Sequence, residues 1–210
     1  MAGKVLDRGA RRQAILQAAA QVFARRGYEP ATLEAVAREA DLAKGTLYLY
    51  FRNKEDLYFH TILSMLERLE SSILEKARSS TGALDGLRAV ALGQFEFFSR
   101  HQDTLQLFAP FSNPNLARLH KRLIAAMMEK WAGHIRQITT LVEEGQREGA
   151  LRGDIQPRSI ALAYIGMANQ AAQSLIRRGP SRPPAGEQEE SPEAMADTVM
   201  RILMEGVKQR

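Results

Sequence analysis

The sequence predicts an all-α protein, on three observations. Apolar residues recur at three- and four-residue spacing through most of the chain, the period of a helix with one buried face. Nowhere does the alternation of a half-buried strand persist, and no segment repeats. Breaks fall between the periodic stretches, at Gly27 and Pro30, at 79–82 (SSTG) and at 179–190 (GPSRPPAGEQEE).

Taken in order, the first helix is expected over about Arg11 to Arg26, with Ile15, Ala19, Val22 and Phe23 inward and Gly27 as a left-handed C-cap. Pro30 keeps it from running on. Thr32 then precedes Leu33, Val36, Ala37 and Ala40, a one-face spacing, and its hydroxyl is placed to accept from an early amide as an N-cap. The capping box is incomplete, because Ala35 stands where Glu or Gln belongs. Asp41, Leu42 and Ala43 make the next break, with Leu42 as a buried plug. A helix from about Lys44 to Phe51 turns Leu47 and Phe51 inward. Asn53 caps the one after it, with Glu55 in its first turn and Asp56 three residues on. That helix should run to about Arg78 on Leu57, Ile62, Leu66, Leu69 and Ile73. Further helices are expected at about 83–101, 103–111, 114–148, 157–178 and 191–208, with 179–190 as a surface loop.

The outward face of the Lys44–Phe51 segment carries the chemistry. It holds Gly45, Thr46, Leu49 and Tyr50, flanked by Lys44 and Tyr48, a poor surface for water and a good one for a DNA groove. Gly45 lets backbone come close, Thr46 donates to a phosphate or base edge, and Leu49 meets a thymine methyl. Tyr48 and Tyr50 reach phosphates through their hydroxyls. Lys54, beside the free amides of a helix start, is placed to grip a phosphate. Blander readings stand beside these: Tyr48 suits a core boundary equally well, and an exposed leucine such as Leu49 is ordinary.

The run from about Arg11 to Leu57, above all KGTLYLYFRNKEDL, resembles the DNA-binding domain of TetR-type (TetR/AcrR) transcriptional repressors. The resemblance implies a three-helix helix-turn-helix DNA-binding head plus a larger helical ligand-binding and dimerisation body. It divides the chain into a basic arm (1–10), a DNA-binding domain (11–56) and a ligand-binding and dimerisation domain (57–210). It also implies a homodimer on a palindromic operator, touching DNA through Thr32, Lys44, Gly45, Thr46, Tyr48, Leu49, Tyr50 and Lys54, and released when a small effector shifts the helix opened by Asn53; the reverse sense, with ligand promoting binding, is the alternative. One departure stands out: Ala43 occupies the place where the family most often has a Ser or Thr cap.

Charge placement agrees. The chain is +5 overall, and residues 1–28 alone hold Lys4, Arg8, Arg11, Arg12, Arg25 and Arg26 against Asp7, an excess of five. A basic arm would add salt-sensitive phosphate contacts, with Lys4 and Arg8 poorly ordered off DNA.

In the body, the helix over 157–178 is studded with Ala161, Ala163, Gly166, Ala168, Ala171 and Ala172, and the one over 191–208 offers Met195, Val199, Ile202, Leu203 and Val207. In the resembled family two such helices per subunit form a four-helix bundle across a two-fold axis. Packing within one subunit is the competing reading. Effector candidates are Phe95, Phe98, Phe108, Phe111, Met127, Trp131, His134 and Tyr164, with Phe97, Met128 and Ile135 nearby in the sequence pattern. Gln94, His101, His120 and Asn169 are further polar anchors. Plain core is the competing reading for each. A pocket so lined favours an apolar or amphipathic molecule over a sugar or phosphate; Lys121 and Arg122 would suit an acyl-CoA or simply a solvated basic face.

Enzyme classes find little support. The four histidines make no His-Glu-x-x-His pair, there is no cysteine, no Gly-rich phosphate loop and no Gly-x-Ser-x-Gly elbow. Glu143 and Glu144 are adjacent and point apart on a helix. No cofactor or metal is called for. Absence of cysteine suits a reducing cytoplasm, and the N-terminus lacks the apolar core of a signal peptide. Ser159 to Ile176 is uncharged but carries Asn169, Gln170, Gln173 and Ser174, too polar for a membrane span. The alternative function is a helical interaction module or ligand-binding protein that no longer binds DNA.

Overall fold

The structure, a computed structural model, describes residues 8–101, 107, 117–178 and 190–207. Its elements are helices: α1 (Arg8–Arg26), α2 (Leu33–Glu39), α3 (Lys44–Tyr48), α4 (Lys54–Ala77), α5 (Ala83–Arg100), α6 (Ala117–Arg147), α7 (Pro157–Arg178) and α8 (Pro192–Val207). No helix among the described residues is long and apolar enough to cross a membrane. Lys4, Phe108, Phe111, the 103–111 helix apart from Leu107, and the 179–190 loop apart from Glu190 lie outside the described residues, as does the side chain of His120.

The chain divides into two compact units, one of Met1–Leu66 with Asp103–Ala126, the other of Glu67–Gln102 with Met127–Arg210. Both α4 and α6 therefore contribute to each.

In the first unit α1 buries Ile15, Ala19, Val22 and Phe23, α2 buries Val36 and Ala37, and α4 buries Leu57 and Ile62. Phe23 and Tyr28 both meet Tyr58, with ring centroids 4.9 and 4.8 Å away, and the Tyr58 hydroxyl donates to the Leu107 carbonyl oxygen. Arg122 of α6 lies 4.1 Å from the Phe59 ring centroid. Helix α1 begins at Arg8, a turn earlier than expected. Arg8 itself is helical, contrary to the expectation of disorder; its guanidinium lies 6.0 Å from the Tyr50 ring, and that of Arg12 lies 5.3 Å from the Phe51 ring. Gly27 takes φ +79° and donates to the Phe23 carbonyl at 2.8 Å, the expected left-handed cap.

The second unit is built on α5. Leu87, Val90 and Phe95 of that helix pack with Ile138 and Val142 of α6, Tyr164 and Ile165 of α7, and Val199 and Leu203 of α8. The Tyr164 hydroxyl donates to the Leu87 carbonyl at 2.6 Å, which satisfies a polar group that would otherwise be stranded in the core. Glu96, nearly buried, is neutralised by Lys76 at 2.6 Å and Arg100 at 2.7 Å. Leu66 and Leu69 of α4 are only half-buried, short of the expected inward stripe, whereas Ile73 is buried.

Candidate nucleic-acid interface

Helices α2 and α3 are set by local hydrogen bonds. Thr32 is extended and its Oγ1 accepts from the Ala35 amide at 3.1 Å, so it caps α2 as expected. At the other end Asp41 enters the left-handed region at φ +53°. There the Leu42 amide donates to the Ala37 carbonyl at 2.8 Å and the Asp41 amide to that of Arg38 at 3.2 Å. This is a Schellman termination with aspartate where glycine is usual. Leu42 is half-buried, less enclosed than a plug. Ala43 starts α3 with no side-chain cap, consistent with its methyl group.

Helix α3 is shorter than expected, ending at Tyr48. Leu49 and Tyr50 continue it as a tight turn, their amides donating to Thr46 at 3.2 Å and Leu47 at 3.0 Å. The inward residues are as the period requires: Leu47 and Phe51 are buried. Outward, Tyr48 is 51% and Leu49 72% exposed, a large apolar area left to water. A Cβ on Gly45 would meet nothing within 4 Å, so the backbone there is open to close approach. Thr46 and Tyr50 are half-buried.

Cations border this surface. Lys44 pairs with the Glu34 carboxylate, and that hydrogen bond raises the Lys44 pKa and lowers that of Glu34. Arg52 meets Asp56 at 3.1 Å through its guanidinium and again through its amide. Burial would raise the Asp56 pKa, but these two hydrogen bonds together with the Arg52 and His60 charges hold the carboxyl below its ordinary value. Asn53 accepts from the Asp56 amide at 2.8 Å, so α4 is capped as expected, though the Asp56 carboxylate serves the Arg52 amide rather than that of Asn53. Lys54 is folded back: Nζ donates to the Glu29 carbonyl at 2.8 Å and lies 4.5 Å from the Tyr28 ring centroid. Burial lowers its pKa, with the Glu29 charge opposing. An open cleft of about 440 Å³ lies between α2 and α3, with Glu34, Arg38, Asp41 and Lys44 around Ala37, Leu42 and Ala43.

Arg8, Arg12, Arg52 and Glu34 were not among the expected contact residues. Only Arg52 carried a local signal, its i,i+4 spacing from Asp56; the others depend on tertiary neighbours.

The effector candidates are dispersed. Phe95 and Tyr164 are fully buried within the core of the second unit, and Phe98 packs against that core. Gln94 donates to the Asn169 side chain at 2.9 Å. Met127 is half-buried, Trp131 is 38% exposed, and its ring lies 6.4 Å from that of His134, whose pKa burial lowers against the opposing Glu70 charge. His101 stacks on Phe97 and shares a 2.8 Å hydrogen bond with Arg68. In α7 the small residues divide: Ala161, Ala168 and Ala172 are turned into the subunit's own core, while Ala163 and Gly166 face outward. Met195, Val199 and Leu203 of α8 are likewise buried at home, leaving Ile202 54% exposed.

Comparison with known proteins matches this geometry. The family model of bacterial regulatory proteins, tetR family, fits residues 15–61, the stretch from α1 into α4. An uncharacterized HTH-type transcriptional regulator, YhgD of Bacillus subtilis, is 27% identical over 68% of this chain and 72% of its own length. The fatty acid metabolism regulator protein of the same organism is 24% identical over 92% of this chain and 93% of its own. The crystal structure of the regulator FadR of B. subtilis, in complex with stearoyl-CoA, superposes with a TM-score of 0.70 at 20% identity, covering 92% of this chain and 98% of that one. The interaction-module alternative is set aside: residues 15–61 belong to the tetR family of bacterial regulatory proteins, and the chain is a DNA-binding transcriptional regulator, not an enzyme.

Proposed function

We propose that the chain is a homodimeric cytoplasmic repressor whose two α3 helices enter a palindromic operator. The observation that carries this reading is the outward face of α3, where Tyr48 and Leu49 stand in water beside an unobstructed Gly45. In this reading Leu49 and Thr46 meet base edges, while Lys44, Tyr48, Tyr50, Lys54 and the cap residue Thr32 take phosphates. The dimer forms through α7 and α8, supported by the uncharged outer face of α7, where Leu162, Ala163 and Gly166 are exposed. The test is Tyr48→Ala combined with Leu49→Ala. Both side chains are exposed, so the variant should keep its thermal stability and lose sequence-selective binding. Retained selectivity would remove α3 from the groove.

The effector is an apolar or amphipathic molecule, and its binding releases the operator. Support comes from the Bacillus subtilis comparisons, a sequence relative named for fatty acid metabolism and a solved structure holding stearoyl-CoA, and from Met127, Trp131 and His134 at three- and four-residue spacing on α6. A long-chain acyl thioester fits both. Native mass spectrometry of the protein as purified tests this reading: an adduct of acyl-CoA mass on a dimer supports it. A bare dimer that palmitoyl-CoA neither binds nor releases from DNA rejects the acyl class.

A further inference from the structure

Three cations border α3, and each already has a partner in the free protein. Arg52 meets the buried Asp56, and Lys54 meets the Glu29 carbonyl and the Tyr28 ring. Asp56 lies in the first turn of α4, and Tyr28 and Glu29 lie in the turn between α1 and α2. Lys44 differs. It is the first residue of α3 and pairs with Glu34 in the first turn of α2, both side chains about half exposed at 48% and 51%. Neither end of this pair caps a helix: Thr32 caps α2, and Ala43 leaves α3 without a side-chain cap.

We propose that Glu34 is an internal competitor of the DNA backbone. Its carboxylate holds Lys44 with the charge a phosphate would present, so Lys44 must break this pair to reach a phosphate. The inference rests on the reading of Lys44 as a phosphate contact.

Two consequences follow from electrostatics. A lysine that is free in solution neutralises a phosphate and releases a counterion, whereas Lys44 arrives already neutralised and leaves a bare carboxylate behind. One phosphate's worth of salt dependence is therefore missing per head. The cost is also independent of base sequence, so it weakens attachment to all duplex DNA and shortens the time spent on non-operator sites. Because an exposed pair is a weak one, the brake is mild.

The experiment is Glu34→Gln, with binding to a long duplex of mixed sequence followed by fluorescence anisotropy between about 50 and 200 mM salt. Binding should tighten by about two- to fivefold per head. The slope of log K against log salt should steepen by about 0.9 per head. Both gains should vanish when Lys44→Ala is added. Unchanged or weaker binding with an unchanged slope overturns the proposal. So does a gain that survives Lys44→Ala, since Glu34 would then repel phosphate directly. If Lys44→Ala alone leaves binding unaltered, Lys44 is no phosphate contact, and the underlying reading fails rather than the competitor step alone.

Discussion

A Cβ on Gly93 would lie 2.9 Å from the Cα of Ile73 and 3.0 Å from the Ser72 carbonyl oxygen, so α4 and α5 touch backbone to backbone at this point. Ser72 reinforces the contact by donating to the Gly93 carbonyl at 3.3 Å. No side chain intervenes that could swing aside.

Gly93→Ala should therefore destabilise the second unit even though alanine is the better helix former. Overpacking of this kind costs about 1–3 kcal/mol, which exceeds the helix-propensity gain. Urea unfolding followed by Trp131 fluorescence would show a lower midpoint. An unchanged midpoint would mean that α4 and α5 separate freely.

Thr32 and Gly45 should separate stability from binding. Thr32→Ala removes the acceptor for the Ala35 amide, a loss of about 1 kcal/mol. Gly45→Ala meets no atom within 4 Å, so within a helix it should stabilise by about 0.5–1 kcal/mol. Yet the added methyl stands on the surface assigned to DNA, and affinity for operator should fall. Thermal unfolding and anisotropy on the two variants check the pair of opposite signs. A Gly45→Ala protein that binds DNA normally would show that the backbone there does not approach the duplex.

What the sequence made legible is local. Thr32, Gly27 and Asn53 each use a side chain or a left-handed φ to satisfy backbone groups within four residues, and such chemistry is written in the sequence itself. The inward turn of Leu47 and Phe51 follows from period alone. Asp41 escaped notice because its termination needs a positive φ that sequence assigns first to glycine or asparagine. Arg8 lies beside Tyr50, a neighbour more than forty positions away that no local pattern points to. Ala161 and Ala163 lie two residues apart and face opposite environments. Small size alone did not say which would meet the core and which the outside.

Acidification should weaken the fold through His60 and His134. Burial lowers both pKa values; for His60 the Arg12 charge adds to burial and Asp56 opposes, while for His134 Glu70 opposes. A depressed folded pKa means the neutral form is preferred. The stabilisation is therefore complete above the unfolded value of about 6.5 and is lost as pH falls below it. The urea midpoint should decline between pH 7 and 5, more steeply than in a protein carrying His60→Gln and His134→Gln. Equal slopes in the two proteins would show that neither imidazole is held neutral.

Gly166 offers the sharpest test of the dimer. It faces outward on α7, in a segment with no charged residue from Ser159 to Ile176. A Cβ there would meet nothing within 4 Å. In a lone subunit glycine is a liability at such a position, since alanine would add about 0.5–1 kcal/mol to the helix. In the proposed dimer a second subunit's helix lying against it would make the missing side chain useful, because two backbones could then approach closely. Gly166→Arg should accordingly leave helical content intact and convert the species seen by native mass spectrometry from twice the chain mass to once. Operator affinity should fall with it, because two α3 helices at fixed spacing bind a palindrome far better than one. If the arginine variant stays dimeric, α7 lies outside the interface, and the exposed Ile202 of α8 becomes the next position to charge.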